Sequence, residues 1–150
     1  WALGTPGLWF CPELSGLSLG PTLLRSCSQC LLTGSWRNDL GSNMTISAVD
    51  STGAFSGKYL TAVSATSRRI LESPFVGFQH PTNETAQPTF GFTVKWTFTN
   101  NTAVFVGQCF MGADGKEFLK TMWLLRAAVE SPGDDWKATR VGTNLFVRNP

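Results

Sequence analysis

The clearest indication of the fold is the stretch Thr89-Phe90-Gly91-Phe92-Thr93-Val94-Lys95-Trp96. Its bulky apolar side chains fall on every second residue and alternate with small or polar ones, which is the period of a β-strand with one buried face. The run Met44-Thr45-Ile46-Ser47-Ala48 alternates in the same way. No segment shows a convincing helical period of apolar residues, so the sequence predicts an all-β protein.

Strand-like runs follow one another from residue 34 onward, separated by short turn signals. We predict strands over residues 34–38, 43–49, 54–63, 74–79, 89–98, 103–111, 117–128 and 138–146. Segments 50–53, 100–101, 112–115 and 131–135 are rich in the glycine, asparagine, aspartate and proline of hairpin turns. Eight consecutive antiparallel strands most economically close into an up-and-down barrel, because closure removes exposed strand edges. Such a barrel is just wide enough inside for side chains or one small ligand.

The beginning of the chain differs from the rest. Glycines and prolines interrupt every strand or helix register before residue 27. The segment starts with Trp1 and lacks the basic and apolar regions of a signal peptide. We therefore expect residues 1–29 to be a disordered N-terminal extension. Residues 30–148 have a length that suits one barrel domain.

The composition favours a binding protein over an enzyme. The net charge of +2 is small and the basic residues are scattered, which disfavours a nucleic-acid partner. No uninterrupted apolar run approaches the ~18 residues of a membrane span. Trp36, Trp96, Trp123 and Trp136 lie in or beside predicted strands, and burying such large rigid side chains requires a core or a dry pocket. With one histidine, His80, the chain is poorly supplied for metal binding or histidine-assisted catalysis.

Three sequons and four cysteines bear on where the protein acts. The Asn-x-Ser/Thr sequons begin at Asn43, Asn83 and Asn100. Each alone is a weak signal, because sequons arise by chance. Together with a potential disulfide they favour a secreted, extracellular glycoprotein.

Six long blocks carry a more specific signal than any short motif. They are Leu32-Thr33-Gly34-Ser35-Trp36-Arg37-Asn38-Asp39-Leu40-Gly41-Ser42-Asn43-Met44-Thr45-Ile46, Tyr59-Leu60-Thr61-Ala62-Val63-Ser64-Ala65-Thr66, Gln87-Pro88-Thr89-Phe90-Gly91-Phe92-Thr93-Val94, Gly107-Gln108-Cys109-Phe110, Lys120-Thr121-Met122-Trp123-Leu124-Leu125-Arg126 and Gly133-Asp134-Asp135-Trp136-Lys137-Ala138-Thr139-Arg140-Val141-Gly142. Through these blocks the chain resembles the avidin/streptavidin family of biotin-binding proteins from about Cys30 to Phe146. The resemblance implies an eight-stranded barrel that assembles as a homotetramer. Each barrel should bind one biotin tightly and non-covalently at its open end, with no cofactor and no enzymatic activity.

The resemblance also implies a role for each matched polar residue. The ureido oxygen of biotin should accept hydrogen bonds from the side chains of Asn38, Ser42 and Tyr59. The two ureido N–H groups should donate to Thr61 and Asn144. Donors held rigidly by barrel strands in a dry cavity polarise the ureido group at little reorganisation cost.

The rest of the implied site surrounds the ring and the tail of biotin. Its aromatic wall consists of Trp96, Phe98, Phe105 and Trp123, with Leu40 and Leu125 behind. The loop after Tyr59 should fold over the valeryl tail and bind its carboxylate through Val63, Ser64, Ala65 and Thr66. Trp136 should cross into the pocket of a neighbouring subunit, which would couple binding to assembly.

The family resemblance implies a disulfide between Cys30 and Cys109. Cys11 and Cys27 have no counterparts in the family, and we assign them no partners: they could pair with each other, or Cys27 could compete with Cys30. The spacing Cys27-Ser28-Gln29-Cys30 also occurs in redox and zinc sites. With no second such pair and a single histidine, we do not favour either chemistry.

Four positions depart from the family pattern. Thr99 replaces a serine and keeps the hydroxyl, whereas Asn101 replaces a serine that helps to bind the carboxylate. Ala103 replaces a threonine whose hydroxyl meets the thioether sulfur, so we expect tight binding with faster release. Thr143 replaces an isoleucine at a subunit contact, so we expect a weaker interface.

Three other functions compete with tight biotin binding. An enzyme would need groups such as His80, Glu130, Asp134 or Asp135, yet no nucleophile–base pair can be proposed from them. A lipocalin-like carrier of another small ligand would be expected to have a more apolar cavity, without a ring of hydroxyls and amides. A low-affinity avidin-related protein would keep the fold for another role. For a tight binder the resemblance suggests an antimicrobial role in sequestering biotin, although storage or transport would use the same pocket.

Overall fold

The computed structural model describes residues 28–64 and 66–150. Within them the chain forms eight strands, namely β1 Gly34–Asn38, β2 Asn43–Ile46, β3 Ala54–Leu60, β4 Ser73–Gln79, β5 Thr89–Lys95, β6 Thr102–Met111, β7 Glu117–Arg126 and β8 Thr139–Arg148. A 3-10 helix, Pro132–Lys137, lies between β7 and β8. The predicted all-β architecture is confirmed.

The strands form a closed barrel in which each strand pairs antiparallel with the next. Pairing of β1 with β8 closes the barrel, with Trp36 opposite Arg148 and Asn38 opposite Phe146. The β1–β2, β3–β4, β5–β6 and β7–β8 connections therefore share one end, which we call the open end. The other three connections lie at the opposite, closed end. The predicted up-and-down topology is confirmed.

Strand ends differ from the predictions where hydrogen bonds to side-chain hydroxyls take the place of backbone pairing between strands. The strand predicted through residue 63 ends at Leu60, because the Thr61 hydroxyl turns the chain by donating to the carbonyl of Val63 at 2.8 Å. The strand predicted through residue 98 ends at Lys95. Beyond it, the backbone N–H of Thr97 donates to the Ser73 hydroxyl at 3.1 Å. The predicted second and seventh strands also end earlier than predicted, at Ile46 and Arg126.

The segment predicted as a hairpin connection at residues 131–135 does join β7 to β8, and it does so through the 3-10 helix, with Ser131 as its N-cap. Pro132 occupies its first turn, where a missing N–H removes no helical bond. The backbone N–H of Asp134 donates to the carbonyl of Ser131 at 3.1 Å, and that of Ala138 donates to the carbonyl of Asp135 at 3.0 Å. This helical turn carries Trp136 on the outside of the barrel.

The core fills the barrel from its closed end. Inward-facing side chains alternate with exposed ones along β1, β2 and β5, and Trp36, Phe75 and Phe146 are completely buried. The guanidinium of Arg148 lies 4.0 Å from the ring centre of Trp36 and closes this end by a cation–π contact. The side of the core toward the open end is the floor of the cavity described below.

A disulfide joins Cys30 to Cys109 at the closed end, with the two Cα atoms 5.8 Å apart. Both cysteines are inaccessible to solvent. The backbone N–H of Cys30 donates to the carbonyl of Ala86 in the β4–β5 connection at 2.8 Å. The predicted disulfide is confirmed.

Most of the predicted N-terminal extension, including Cys11 and Cys27, lies outside the described residues. Its disorder and the pairing of those cysteines therefore stay predictions. Gln29, at the end of that extension, donates from Nε2 to the carbonyl of Thr82 at 3.1 Å. Among the described residues, no helix has the length and apolar character needed to cross a membrane.

Candidate ligand-binding site

A cavity of about 530 Å³ opens at the open end of the barrel. This volume lies within the range of small-molecule sites. Ten of its nineteen lining residues are aromatic or aliphatic, and the others carry amides, hydroxyls or a guanidinium. The lining residues are Asn38, Leu40, Ser42, Tyr59, Thr61, Val63, Ser64, Thr66, Trp96, Phe98, Thr99, Asn101, Ala103, Phe105, Trp123, Leu125, Ala127, Arg140 and Asn144.

The β1–β2 turn fixes the orientation of the Asn38 amide. Its Oδ1 accepts the backbone N–H groups of Leu40 at 3.0 Å and Ser42 at 2.8 Å. Its Nδ2 donates to the hydroxyl of Tyr59 at 3.2 Å. Because Oδ1 is engaged by the backbone, the group that Asn38 offers to a ligand is a donor.

Asn144, on β8, presents the opposite polarity. Its Nδ2 donates to Oδ1 of Asp39 at 2.8 Å, and the residue is only 6% exposed. The Asp39 carboxylate can only accept, so it holds the amide with Oδ1 as the acceptor left for a ligand. Thr61, on the β3–β4 loop, adds a hydroxyl oxygen with acceptor capacity beside its bonds to Val63. The cavity thus combines fixed donors with fixed acceptors.

Tyr59 lies between these polar groups and the aromatic wall. Its ring meets Trp96 edge-on, with centroids 5.5 Å apart, and lies 5.4 Å from Phe105. Burial raises the pKa of Tyr59 to about 12; the charge of Asp39 adds to the rise, and the side chains of Ser42 and Asn38 oppose it. The hydroxyl therefore remains a protonated donor throughout the neutral range.

Alkaline pH should destabilise the protein through Tyr59. An unfolded tyrosine titrates near pH 10, so raising the folded pKa to about 12 means that the unfolded state loses its proton first. The contribution of Tyr59 is intact below pH 10 and is lost as the pH rises toward 12. We expect the free energy of unfolding to fall by about 2–3 kcal/mol over that interval.

Phenolate absorbance measures this titration directly, because Tyr59 is the only tyrosine of the chain. Denaturant titrations of wild type and Tyr59→Phe at matched pH values isolate the contribution of Tyr59 to the pH dependence of stability. A folded protein whose phenol titrates near pH 10 would contradict the expectation.

The apolar wall comes from β6, β7 and the β5–β6 loop. Trp96, Phe98 and Phe105 are buried, and Trp96 lies 5.8 Å from Phe98 between ring centroids. Trp123 and Leu125, on β7, are partly buried against the same cluster. Among the described residues the buried indole N–H of Trp96 finds no hydrogen-bond partner, so it is a further donor available at the wall.

All predicted pocket residues except Ala65 and Trp136 line this cavity. Ala65 lies outside the described residues. Trp136 lies on the 3-10 helix, is 83% exposed and does not line the cavity of its own chain, so its role toward a neighbouring subunit stays a prediction. Asp134 and Asp135 pair with Lys137 and Arg126 at the surface.

Sequence reasoning missed Ala127 and Arg140 as lining residues. Arg140 lies opposite Leu125 in the β7–β8 register, so a register assignment could have found it from a predicted neighbour. Among the lining residues it is the one with a formal charge at neutral pH. A cation at the mouth favours ligands whose outer end is anionic.

A closed β-barrel with a largely apolar cavity, fixed amides and hydroxyls at its floor and a cation at its mouth defines a small-molecule-binding protein. The sequence profile of the Avidin family matches residues 26–149. The chain belongs to the avidin family.

Individual relatives agree with this assignment. The chain is 63% identical to avidin from Gallus gallus over 123 residues, which are 82% of this chain and 81% of that protein. A structure described as the X-ray structure of biotin binding protein from chicken superposes with a TM-score of 0.78 at 60% identity, covering 81% of this chain and 98% of that one. The crystal structure of Xenavidin has a TM-score of 0.77 at 49% identity, covering 81% and 99%.

Proposed function

We propose that this chain binds biotin tightly and non-covalently in the open end of its barrel. The observation that carries the proposal is the opposed polarity of the two fixed amides. Asn38 Nδ2 and the hydroxyls of Tyr59 and Ser42 supply hydrogen-bond donors for a carbonyl oxygen, since the Ser42 oxygen accepts the N–H of Ala62 and leaves its own O–H to donate. Asn144 and Thr61 supply acceptors for N–H groups. A cyclic urea carries one carbonyl oxygen between two N–H groups and satisfies both sets at once. The similarity of the chain to the chicken biotin binding protein supports the same ligand.

Titration calorimetry with free biotin tests the proposal. We expect one site per chain with an affinity too tight for direct titration, to be resolved by measuring biotin dissociation. A long-chain fatty acid in excess should not displace biotin, whereas from a lipocalin-like carrier it would. Folded protein that ignores biotin at micromolar concentration would refute the proposal.

Adding a hydroxyl at Ala103 should slow the release of biotin. Ala103 is 2% exposed and lines the cavity at the position where the family pattern has a threonine near the thioether sulfur. A regained neutral hydrogen bond contributes about 1 kcal/mol, so Ala103→Thr should dissociate roughly five- to tenfold more slowly. Ala103→Val, of the same shape without the hydroxyl, is the matched control. Equal off-rates for the threonine and valine variants would exclude a hydrogen bond as the cause.

A methyl group at Gly142 should damage the aromatic wall. Gly142 faces Trp123 across β7 and β8, and a Cβ there would come within 2.6 Å of Trp123 Cε2 and 3.0 Å of its Nε1. The indole must then move, so Gly142→Ala should bind biotin about 10- to 100-fold more weakly and lose about 1–3 kcal/mol of stability. Gly133→Ala is the control, because its nearest atom would be Ser131 Oγ at 3.7 Å. Wild-type affinity for biotin in Gly142→Ala would show that binding does not depend on the position the Trp123 indole occupies in the wild type.

We also propose that four copies assemble, through an apolar strip on the outside of the barrel. The strip consists of Val104, Val106, Met122, Leu124 and Val141, all exposed in the single chain. Register places Val106 beside Met122 and Leu124 beside Val141, so the strip is continuous across β6, β7 and β8. Exposed apolar area of this kind marks an interaction surface. Sedimentation of the wild type at decreasing concentration tests the assembly. The same measurement on Thr143→Ile tests the predicted weaker subunit interface at Thr143.

Secretion and an antimicrobial role in sequestering biotin complete the proposal. The buried Cys30–Cys109 disulfide supports an oxidising compartment, and all three sequon asparagines are exposed. Adding biotin in excess should relieve any growth inhibition that the protein causes in a biotin-requiring microbe.

A further inference from the structure

The three sequons occupy different places on the barrel. Asn83 lies in the β4–β5 connection at the closed end, in the same loop as Thr82 and Ala86, whose carbonyls accept bonds from Gln29 and Cys30. Asn43 begins β2 and points outward, where its Oδ1 accepts from Nδ2 of Asn149 at 3.2 Å. Asn100 lies in the β5–β6 loop at the open end.

Asn100 is flanked on both sides by residues that line the cavity. Thr99 and Asn101 are lining residues, and adjacent Cα atoms are only about 3.8 Å apart. The loop is held in place, because the backbone N–H of Asn101 donates to Thr99 Oγ1 at 3.2 Å and Asn101 Oδ1 accepts from the N–H of Ala128 at 3.3 Å. Asn100 itself and the sequon hydroxyl residue Thr102 are both exposed.

We propose that Asn100 carries an N-linked glycan that stands at the mouth of the cavity and selects free biotin over biotin attached to macromolecules. The selective effect rests on the proposed biotin binding, whereas the modification itself does not. A glycan is bulky and strongly hydrated, and its root is fixed to the rim by the two bonds of Asn101. Free biotin is small enough to pass beside it.

A conjugate meets the glycan because its linker must leave through the mouth. Val63, Ser64 and Thr66 of the β3–β4 loop line one side of the cavity, and Thr99 and Asn101 line another. A protein attached to biotin must approach this rim before the ring can reach the floor. Narrowing the range of productive approaches lowers the association rate without changing any contact of the bound ring.

The experiment uses the full chain secreted from eukaryotic cells, with glycan occupancy at each sequon read by glycopeptide mass spectrometry. Wild type is compared with Asn100→Gln and Thr102→Ala, which remove the same sequon by different residues, and with Asn83→Gln as the matched control. Association rates are measured for free biotin and for biotinylated albumin. We expect the Asn100 glycan to slow albumin association about tenfold and free biotin by less than about twofold. Both sequon variants should restore the albumin rate, and Asn83→Gln should not.

Two results would overturn the proposal. If Asn100 is found unmodified, the proposed glycosylation is wrong. If Asn100 carries a glycan but the association rate for biotinylated albumin is equal in wild type and both sequon variants, the proposed selectivity is wrong. A glycosylated protein that bound neither ligand would refute the proposed function and with it the selectivity, while the glycopeptide data would still establish the modification.

Discussion

Replacing Trp136 with alanine should weaken biotin binding by about 2–4 kcal/mol, or roughly 30- to 1,000-fold. The indole is 83% exposed on the 3-10 helix beside the open end, and it contributes nothing to the cavity of its own chain. So large an apolar side chain left in water is typical of an interface anchor. In the proposed assembly it completes the pocket of a neighbouring chain, so its loss should also weaken association between chains.

Mixed assemblies distinguish action on a neighbour from action within the chain. Trp136→Ala chains keep an intact floor, and Asn38→Ala chains keep the indole. If Trp136 acts on the neighbouring chain, co-assembled Trp136→Ala chains receive that indole and should regain slow biotin release. Uniformly fast release from every mixed assembly would contradict the model of a shared pocket.

The inner parts of the strands could be predicted from alternation alone, but their ends could not. Along β5 the pattern Phe90, Phe92 and Val94 is set by which face is buried, a property of each residue and its nearest neighbours. The end of the same strand depends on Ser73, whose hydroxyl accepts the N–H of Thr97 from 24 residues away in sequence. Such a contact exists only once the barrel has formed, so no local sequence pattern predicts it.

The binding site likewise has features that could be predicted from the sequence and features that could not. Its floor and wall followed from the family resemblance, and the structure brings Asn38, Tyr59 and Asn144 to one cavity. The resemblance did not supply the orientation of the amides, because Asp39 and two backbone N–H groups determine it. Arg140 was missed because an exposed arginine on a strand has no distinctive spacing, and only the pairing with Leu125 places it at the mouth.

Removing the disulfide with Cys30→Ala/Cys109→Ala should lower the free energy of unfolding by about 4–5 kcal/mol. The two cysteines are 79 residues apart in sequence, and releasing so long a loop restores much entropy to the unfolded chain. Alanine suits both positions because both side chains are completely buried. The double variant also prevents Cys27 from pairing with Cys109 in place of Cys30. Unfolding should be compared at one protein concentration, because association raises apparent stability.

Biotin binding should survive the loss of this disulfide. Neither cysteine lines the cavity, and the bond lies at the closed end, where Cys30 contacts Ala86. The polar floor is held by separate bonds within the β1–β2 turn and to Asp39. The double variant should therefore release biotin at nearly the wild-type rate below its unfolding temperature, although it unfolds far more readily. A stability loss below about 1 kcal/mol would show that the unfolded chain is already compact, and much faster biotin release would show that the two ends of the barrel are coupled.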